Sequence, residues 1–344
     1  MRGGKFWIQG GDMGSVRLIQ VGLGPIGRGI VAQVAEREGM ELVGAVDLDP
    51  CKVGRDAGTI SGTERLGVEV SEDLGKVLNK EADVVVLATG SRLADVAPQV
   101  EMCVRAGKSV VSTCEELAFP FVAHPELARR MDELSREHGV AVLGTGINPG
   151  FLMDALPIFL TGICRRVEGV KVERFQDAST RRFPFQRKVG AGLSQEEFWE
   201  GLRRGSVGHV GFRESAHMIA EALGWRVERY EETVEPILAE EPLESRFVKV
   251  EPGRCAGLRQ VGCGYVDGRR AIVLELQAYL GHPEPKDSIV VYGEPVVRWE
   301  VVGGVDGDVG TCSVVLNAAR VLPSAPPGLR TMLDMPVIHW SRSA

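Results

Sequence analysis

A glycine-rich segment that joins a short apolar strand to an amphipathic helix constrains the fold of this chain more than any other feature. The strand is predicted over Val16 to Val21, and the helix over Ile26 to Glu38. The segment between them contains Gly22-Leu-Gly24-Pro25-Ile26-Gly27, a G-x-G-x-x-G pattern. The first glycine permits a tight turn, the second lets backbone approach a pyrophosphate, and the third lets the helix pack closely on the strand. The pattern predicts a dinucleotide-phosphate site at a helix N-terminus, although a tight turn without a ligand would look similar.

An acidic residue at the end of the next strand favours the nucleotide interpretation. Asp47 follows the predicted strand Glu41 to Val46 and lies about 20 residues beyond the last glycine, where an acid accepts hydrogen bonds from the adenosine ribose. Its charge would repel a 2′-phosphate, so we expect NAD, with NADP tolerated. Lys52 and Arg55 follow closely and either reach such a phosphate or are ordinary surface bases.

Strands and helices continue to alternate up to about residue 147, which is typical of a doubly wound parallel sheet. The further predicted elements are the strands Ala82–Thr89, Ser109–Ser112 and Val140–Leu143 and the helices Val96–Ala106 and Pro125–His138. We therefore expect an α/β fold with a loose extension at 1–15 and a Rossmann domain at 16–147. Thr89, at the end of its strand, is a further candidate cofactor contact.

The second half of the chain has a different pattern of predicted strands and helices. Gly169–Asp177 and Arg270–Leu280 alternate like half-exposed strands, while Ser194–Arg204 and Phe212–Leu223 have helical spacing. These elements predict an α+β domain at 148–309, a mixed sheet covered by helices, for substrate binding. The remaining segment, 310–344, is expected to form a helix that packs back on the Rossmann domain.

Composition excludes several functional classes. The 344 residues carry a net charge of -7, which gives no basic surface for nucleic acid, and no apolar run approaches the ~20 residues of a membrane span. The seven cysteines are scattered and contain no C-x-x-C, which argues against disulfides or a structural metal site and for a cytoplasmic protein.

Two adjacent carboxylates follow the predicted strand Ser109–Ser112. Glu115 and Glu116 lie just beyond its carboxyl end, the edge at which open α/β sheets bind ligands. A glutamate partly desolvated beside a nicotinamide would have a raised pKa and serve as an acid–base catalyst. The alternative is a pair of acids at the start of a helix.

A glycine- and proline-rich hinge, Gly146-Ile-Asn148-Pro-Gly150, opens the second domain. The side-chain amide of Asn148 is a candidate for holding the nicotinamide carboxamide or the substrate, unless it only caps the turn. For a substrate carboxylate we favour Arg174, followed by Arg181, Arg182 and Arg187, with structural ion pairing as the alternative. Gln277 and Tyr279 share one face of their strand and are further candidates for the substrate cleft.

Together these motifs resemble the dihydrodipicolinate-reductase-like superfamily, and within it the 2,4-diaminopentanoate dehydrogenases and native amine dehydrogenases. The resemblance runs from about Arg17 to Pro336, and its specific parts are the Glu115-Glu116 segment and the Asn-Pro-Gly hinge. It implies oxidative deamination of a primary amine to a ketone and ammonia with reduction of NAD or NADP, in a homodimer. Related sugar dehydrogenases carry a catalytic lysine at the position of Glu116, so Glu116 is preferred over Glu115.

The chain departs from true dihydrodipicolinate reductases, which carry adjacent histidines in the second domain. None of its six histidines is adjacent to another, so ring-reducing activity is not expected. Two other functions stay open: a reductase of an imine or semialdehyde on the same scaffold, and a non-catalytic NAD-binding sensor.

Overall fold

A computed structural model describes residues 15–342, so the extension predicted at 1–15 lies outside the described residues apart from Ser15. The chain divides into two compact units. The first contains the residues up to Leu117, Glu126–Thr145 and the residues from Thr311 onward; the second contains Ala118–Pro125 and Gly146–Gly310. Within the described part, no helix is long and apolar enough to cross a membrane.

The strands of the described residues are, in chain order, β1 (Val16–Val21), β2 (Met40–Val46), β3 (Val70–Ser71), β4 (Val84–Leu87), β5 (Ser109–Ser112), β6 (Ala141–Gly144), β7 (Arg166–Asp177), β8 (Arg229–Leu238), β9 (Leu243–Glu244), β10 (Lys249–Val250), β11 (Cys255–Val266), β12 (Arg269–Tyr279), β13 (Lys286–Glu294), β14 (Val297–Val302) and β15 (Gly328–Arg330). The α-helices are α1 (Pro25–Glu36), α2 (Ala57–Ile60), α3 (Leu74–Leu78), α4 (Leu93–Arg105), α5 (Pro125–Glu137), α6 (Ala155–Leu160), α7 (Phe183–Lys188), α8 (Gln195–Arg204), α9 (Phe212–Ala222) and α10 (Gly307–Val321). Short 3-10 turns lie at Glu115–Leu117, Thr161–Ile163, Ala178–Thr180 and Leu322–Ser324.

The first unit is built on a seven-stranded sheet in the order β15-β6-β5-β4-β1-β2-β3. All six strand pairs are parallel. Every residue of β4 and β5 is buried, as expected for strands covered on both faces. Strand order reverses direction between β1 and β4, so the ligand-binding crevice of such a sheet is expected at the carboxyl ends of these strands. The predicted Rossmann-type parallel sheet is confirmed.

Within this unit, the part of α10 from Thr311 onward packs on α1, through a close approach at a glycine. A Cβ at Gly29 would lie 2.8 Å from the sulfur of Cys312. The Cys312 thiol also lies 3.4 Å from the carbonyl oxygen of Ile26. Farther along the same pair of helices, Arg37 donates a hydrogen bond to the side chain of Asn317 at 2.6 Å. These contacts attach α10 to α1, the helix that follows the glycine-rich segment.

The second unit contains a six-stranded mixed sheet in the order β14-β13-β7-β12-β11-β8. β7 and β12 run parallel, whereas the other neighbours are antiparallel. Alternate residues of β12, such as Ile272 and Leu274, enter a core that also holds Phe198 from α8 and Phe212 from α9. The predicted mixed sheet with helices is confirmed.

The acidic stretch of residues 229–244 contains a strand, β8, although its sequence has no continuous apolar run. β8 lies at the edge of the sheet, pairs only with β11 among the described residues, and exposes most of its side chains. Charged residues are common on edge strands because they discourage pairing with another chain.

Candidate active site

The glycine loop after β1 has the geometry that its sequence requires. Gly22 has a φ of 83°, and a Cβ there would lie 2.5 Å from the carbonyl oxygen of Ala88. A Cβ at Gly27 would lie only 1.8 Å from the carbonyl oxygen of Gly22. A Cβ at Gly24, by contrast, would meet no heavy atom within 4 Å. The loop is therefore closed against protein at its first and third glycines and open at the second, where a phosphate needs to approach.

The backbone N–H groups in the first turn of α1 have no capping side chain and can therefore bind a ligand. Gly24 is the N-cap and provides no capping side chain, Pro25 occupies the first helical position, and no acidic residue lies in the first turn. Unsatisfied N–H groups and the positive end of the helix dipole favour an anion at this point. The loop and the turn together fit the pyrophosphate of a dinucleotide.

Asp47 lies at the carboxyl end of β2 and is held toward this loop. Its Oδ2 accepts a hydrogen bond from the N–H of Leu23 at 2.6 Å, and its Oδ1 accepts one from the N–H of Asp49 at 2.9 Å. Burial disfavours the charged carboxylate, but these bonds and Lys52 outweigh it and lower the pKa of Asp47. The group is thus an anion fixed where an adenosine ribose is expected.

Lys52 does not extend freely toward solvent. Its Nζ lies 3.1 Å from Asp47 and 3.4 Å from Asp49, so its charge is shared by two carboxylates. The exposed Arg55 donates a hydrogen bond to the carbonyl oxygen of Cys51 at 3.2 Å. This arrangement favours a free ribose over a 2′-phosphate, because a phosphate would have to compete with the existing ion pairs.

Thr89 follows β4 on the same edge of the sheet. Its methyl group would lie 2.9 Å from a Cβ at Gly22, so it borders the glycine loop, and its hydroxyl lies 2.6 Å from the side-chain oxygen of Gln99. The loop after β1, Asp47 after β2 and Thr89 after β4 therefore lie along a single edge.

The two glutamates lie in the 3-10 turn after β5, and both are half-buried. Glu116 has a structural contact that its sequence position did not reveal: its Oε2 accepts a hydrogen bond from the N–H of Leu93 at 2.7 Å. That N–H belongs to the first turn of α4, which has no capping side chain of its own. Glu116 thus caps α4, and the same bond fixes the orientation of its carboxylate. Burial raises the pKa of the neighbouring Cys114 to about 12, so this thiol stays protonated.

The hinge of the second unit holds Asn148 in a buried position. Asn148 is 8 % exposed, and no described residue hydrogen-bonds to its Oδ1. The hinge backbone is anchored by the fully buried Asp154, which accepts hydrogen bonds from the N–H of Gly150 at 2.8 Å, the N–H of Ala155 at 2.6 Å and the hydroxyl of Ser215 at 2.7 Å. Burial raises the pKa of Asp154, and these three bonds oppose the rise.

Arg174 is engaged in a buried ion pair. Its Nε lies 2.7 Å from Oδ1 of Asp287, its Nη2 donates to the carbonyl oxygen of Val305 at 3.2 Å, and the residue is 3 % exposed. These contacts support the alternative of structural pairing over capture of a substrate carboxylate. Arg181 and Arg182 likewise pair with Asp308.

Gln277 lies on the opposite face of the sheet from Arg174. In the parallel pairing of β7 and β12, Arg174 is level with Leu276, which enters the core, whereas Gln277 is level with Phe175. Its amide donates to Glu275 at 2.9 Å. The structure therefore does not bring these two substrate candidates together. Among residues 15–342, no cluster of three or more potential metal ligands occurs.

Comparisons with known proteins agree with this architecture. Residues 151–343 match the family described as 2,4-diaminopentanoate dehydrogenase C-terminal domain, and residues 16–115 match dihydrodipicolinate reductase, N-terminus. The chain is 34% identical to a 2,4-diaminopentanoate dehydrogenase of Acetoanaerobium sticklandii, over 94% of each protein. It is 26% identical to an amine dehydrogenase of Streptomyces virginiae, over 92% of this chain and 95% of that protein. An amine dehydrogenase structure from Mycobacterium smegmatis shares the fold, with a TM-score of 0.85 and 23% identity over 96% of this chain and 98% of that chain.

The buried ion pair of Arg174 and Asp287 should contribute to the free energy of unfolding. Asp287→Ala leaves the Arg174 charge buried without its carboxylate, so the free energy of unfolding should fall by about 3–5 kcal/mol. The double variant Asp287→Ala with Arg174→Met should recover part of this loss, because it removes the uncompensated charge. Denaturant unfolding of the three proteins measures both effects. Equal stability of Asp287→Ala and the unaltered protein would contradict the structural role.

Proposed function

Because this chain belongs to the 2,4-diaminopentanoate dehydrogenase family of amine dehydrogenases, we propose that it catalyses the NAD(P)-dependent oxidative deamination of a primary amine. The proposed substrate is 2,4-diaminopentanoate, with 2-amino-4-oxopentanoate and ammonia as products, and the reverse reaction is reductive amination. One observation supports this most: the edge that presents an open glycine loop at Gly24 also carries half-buried carboxylates after β5.

The residues of the first unit fit a dinucleotide. Gly24 leaves room for a pyrophosphate, α1 offers its uncapped first turn, and Asp47 offers a fixed carboxylate for ribose hydroxyls. When bound, the nicotinamide accepts the hydride from the amine-bearing carbon. We assign Gly22, Gly24, Pro25, Ile26 and Gly27 to the phosphates.

Glu116 is the proposed acid–base residue. Its carboxylate, oriented by the N–H of Leu93, first takes a proton from the substrate ammonium, because only the neutral amine can release a hydride. Its charge then stabilises the iminium that forms, once the proton has passed to solvent. When water adds to the iminium carbon, Glu116 takes a proton from that water and gives it to the nitrogen. As ammonia departs, Glu116 takes the remaining hydroxyl proton, and a ketone is left.

Asn148 is the proposed second contact. Its buried Oδ1 requires a hydrogen-bond donor, and both the amine of the substrate and the amide of the nicotinamide provide one. Asn148→Ala therefore distinguishes the two ligands: a higher KM for the amine assigns Asn148 to the substrate, and a higher KM for NAD+ assigns it to the cofactor.

An amine panel with NAD+ and with NADP+ tests the proposed reaction. Formation of NADH absorbance that depends on 2,4-diaminopentanoate and produces ammonia is the expected result. Oxidation of NADPH by an imine or semialdehyde, with no reaction on any amine, would instead assign a reductase. Binding of NADH without turnover on either panel would indicate a sensor. Sedimentation velocity tests the homodimer that accompanies this proposal.

Replacing Glu116 separates its chemical role from its capping role. Glu116→Gln retains an oxygen that can accept from Leu93, so thermal stability should change little, while kcat should fall about 10²-fold or more. Glu116→Ala should reduce kcat and also lower the free energy of unfolding by about 1 kcal/mol, because it removes the cap of α4. Glu115→Gln is the matched control, one residue away in the same turn. A large loss of kcat only in Glu115→Gln would show that Glu115 is the acid–base residue. Wild-type kcat in both Gln variants would show that neither glutamate is.

Asp47 should govern the choice of cofactor. Asp47→Ser removes the carboxylate that repels a 2′-phosphate and frees Lys52 from one of its two ion pairs. The ratio of kcat/KM for NAD+ to that for NADP+ should therefore fall about tenfold or more. Steady-state kinetics with both cofactors measures the ratio, and Asp49→Ser, which leaves Asp47 in place, is the control. An unchanged ratio in Asp47→Ser would show that Asp47 does not contact the adenosine ribose.

A further inference from the structure

Gln20 lies within β1 and interrupts its apolar pattern. Its neighbours Ile19 and Val21 belong to the apolar core of the first unit, and Gln20 itself is 0 % exposed. Its side-chain Oε1 is buried and has no hydrogen-bond partner in the described chain. An unpaired polar atom in a core costs free energy, which an apolar side chain of the same size would avoid. Only the amide nitrogen offers something that such an apolar side chain lacks.

The amide nitrogen of Gln20 is hydrogen-bonded to the glycine loop. It donates to the carbonyl oxygen of Gly22 at 2.9 Å and to that of Val21 at 3.1 Å. It also lies 3.0 Å from the position that a Cβ at Gly27 would occupy, so it fills the space between the end of β1 and the first turn of α1. The Val21 oxygen already accepts a bond from the N–H of Ala88 at 2.8 Å. The bond to Gly22 is therefore the one that acts on the loop.

The peptide that joins Gly22 to Leu23 is held on both sides. Its oxygen accepts the bond from Gln20, and its N–H donates to Oδ2 of Asp47 at 2.6 Å. In a planar trans peptide the C=O and the N–H point in opposite directions, so partners on opposite sides fix the rotation of the whole unit. The next residue is Gly24, the open position of the loop. The two side chains thus orient the backbone that a pyrophosphate would approach.

We propose that Gln20 is a positioning residue for the dinucleotide: its amide fixes the peptide after Gly22 from the side opposite to Asp47, so that the loop is preorganised for a pyrophosphate. This inference rests on the dinucleotide binding of the proposed function and is independent of which amine is oxidised. NAD and NADP share the pyrophosphate, so Gln20 should affect their affinities equally. Asp47, in contrast, should change the ratio of the two.

The test is Gln20→Met, which keeps the size of the side chain and removes the hydrogen-bond donor. The dissociation constants of NADH and NADPH should both rise by about tenfold, the scale of one lost hydrogen bond. In amine oxidation the KM for NAD+ should rise by a similar factor, while kcat at saturating substrate stays close to that of the unaltered protein. Fluorescence titration measures the dissociation constants, and steady-state kinetics measures the split between KM and kcat.

Gln186→Met is the matched control. Gln186 is likewise 0 % exposed, and its amide nitrogen donates to the carbonyl oxygens of Ala178 and Arg181 at 2.9 Å each, but it lies in the second unit. Both variants should lower the melting temperature, because each leaves buried carbonyl groups without a donor. Only Gln20→Met should change the two dissociation constants. The comparison separates positioning of the loop from a general loss of stability.

Gln20→Glu is a second variant that keeps the shape of the side chain. Its carboxyl group can donate to Gly22 only while it is protonated, which is the form that burial favours. At about pH 6 it should therefore bind NADH more tightly than Gln20→Met, and this advantage should disappear toward about pH 9 as the carboxyl ionises. If Gln20→Met does not fold, this pH dependence, measured relative to the unaltered protein, provides the test. Equal relative affinity at both pH values would contradict the inference.

Unaltered dissociation constants in Gln20→Met would overturn the inference and leave the proposed reaction intact, as would a change for only one of the two cofactors. Equal weakening in Gln186→Met would also overturn it, because the effect would then follow from stability. If the unaltered protein binds NADH and oxidises no amine, the proposed reaction fails, and the dissociation constants of Gln20→Met still decide the inference. Absence of NADH and NADPH binding in the unaltered protein would reject both.

Discussion

The close contact between the first turn of α1 and the end of β1 is the constraint on which the first unit depends. A side chain at Gly27 would strike the carbonyl oxygen of Gly22, so the helix can approach the strand only with glycine at both positions. The N–H of Leu23, inside this turn, is then bonded to Asp47, which links the end of β1 to the end of β2. The same contact leaves Gly24 open. Packing and phosphate binding thus follow from one backbone geometry.

The buried strands of the first unit were predictable from sequence because their apolar runs are continuous, whereas β11, which is also mostly buried, was missed because polar residues and glycines interrupt its run. β1 and β5 have the predicted bounds, and the other predicted strands differ by only a few residues at their ends. β8 was not predictable, because an edge strand rich in glutamate has no apolar run and is defined only by its pairing with β11. β15 is three residues long and exists through its pairing with β6. A continuous apolar run indicates a strand locally, whereas β8 and β15 are defined by their pairing with neighbouring strands.

The candidate site divides in the same way. The place of Asp47 follows from strand length and the spacing to the glycine loop, so sequence alone indicates it. The bond from Leu93 to Glu116 and the pairing of Arg174 with Asp287 each join residues far apart in the chain, and no local pattern reports such contacts. Asp154 could have been found, since an aspartate before the apolar segment of α6 is a common N-cap signal.

The substrate candidates in the polar interior of the second unit differ in whether their hydrogen-bonding groups are already paired. Arg174 is bound to Asp287, and Arg181 is bound to Asp308, so a substrate carboxylate could reach either arginine only by displacing a carboxylate of the protein itself. Breaking a buried pair is costly, because it leaves the displaced charge uncompensated. Asn148 presents the opposite situation: a buried acceptor whose hydrogen bond has yet to be formed. A donor such as an amine or amide gains a bond there without breaking another. At Asn148 the interior of this unit therefore offers an acceptor, whereas at Arg174 and Arg181 it offers cations that are already neutralised.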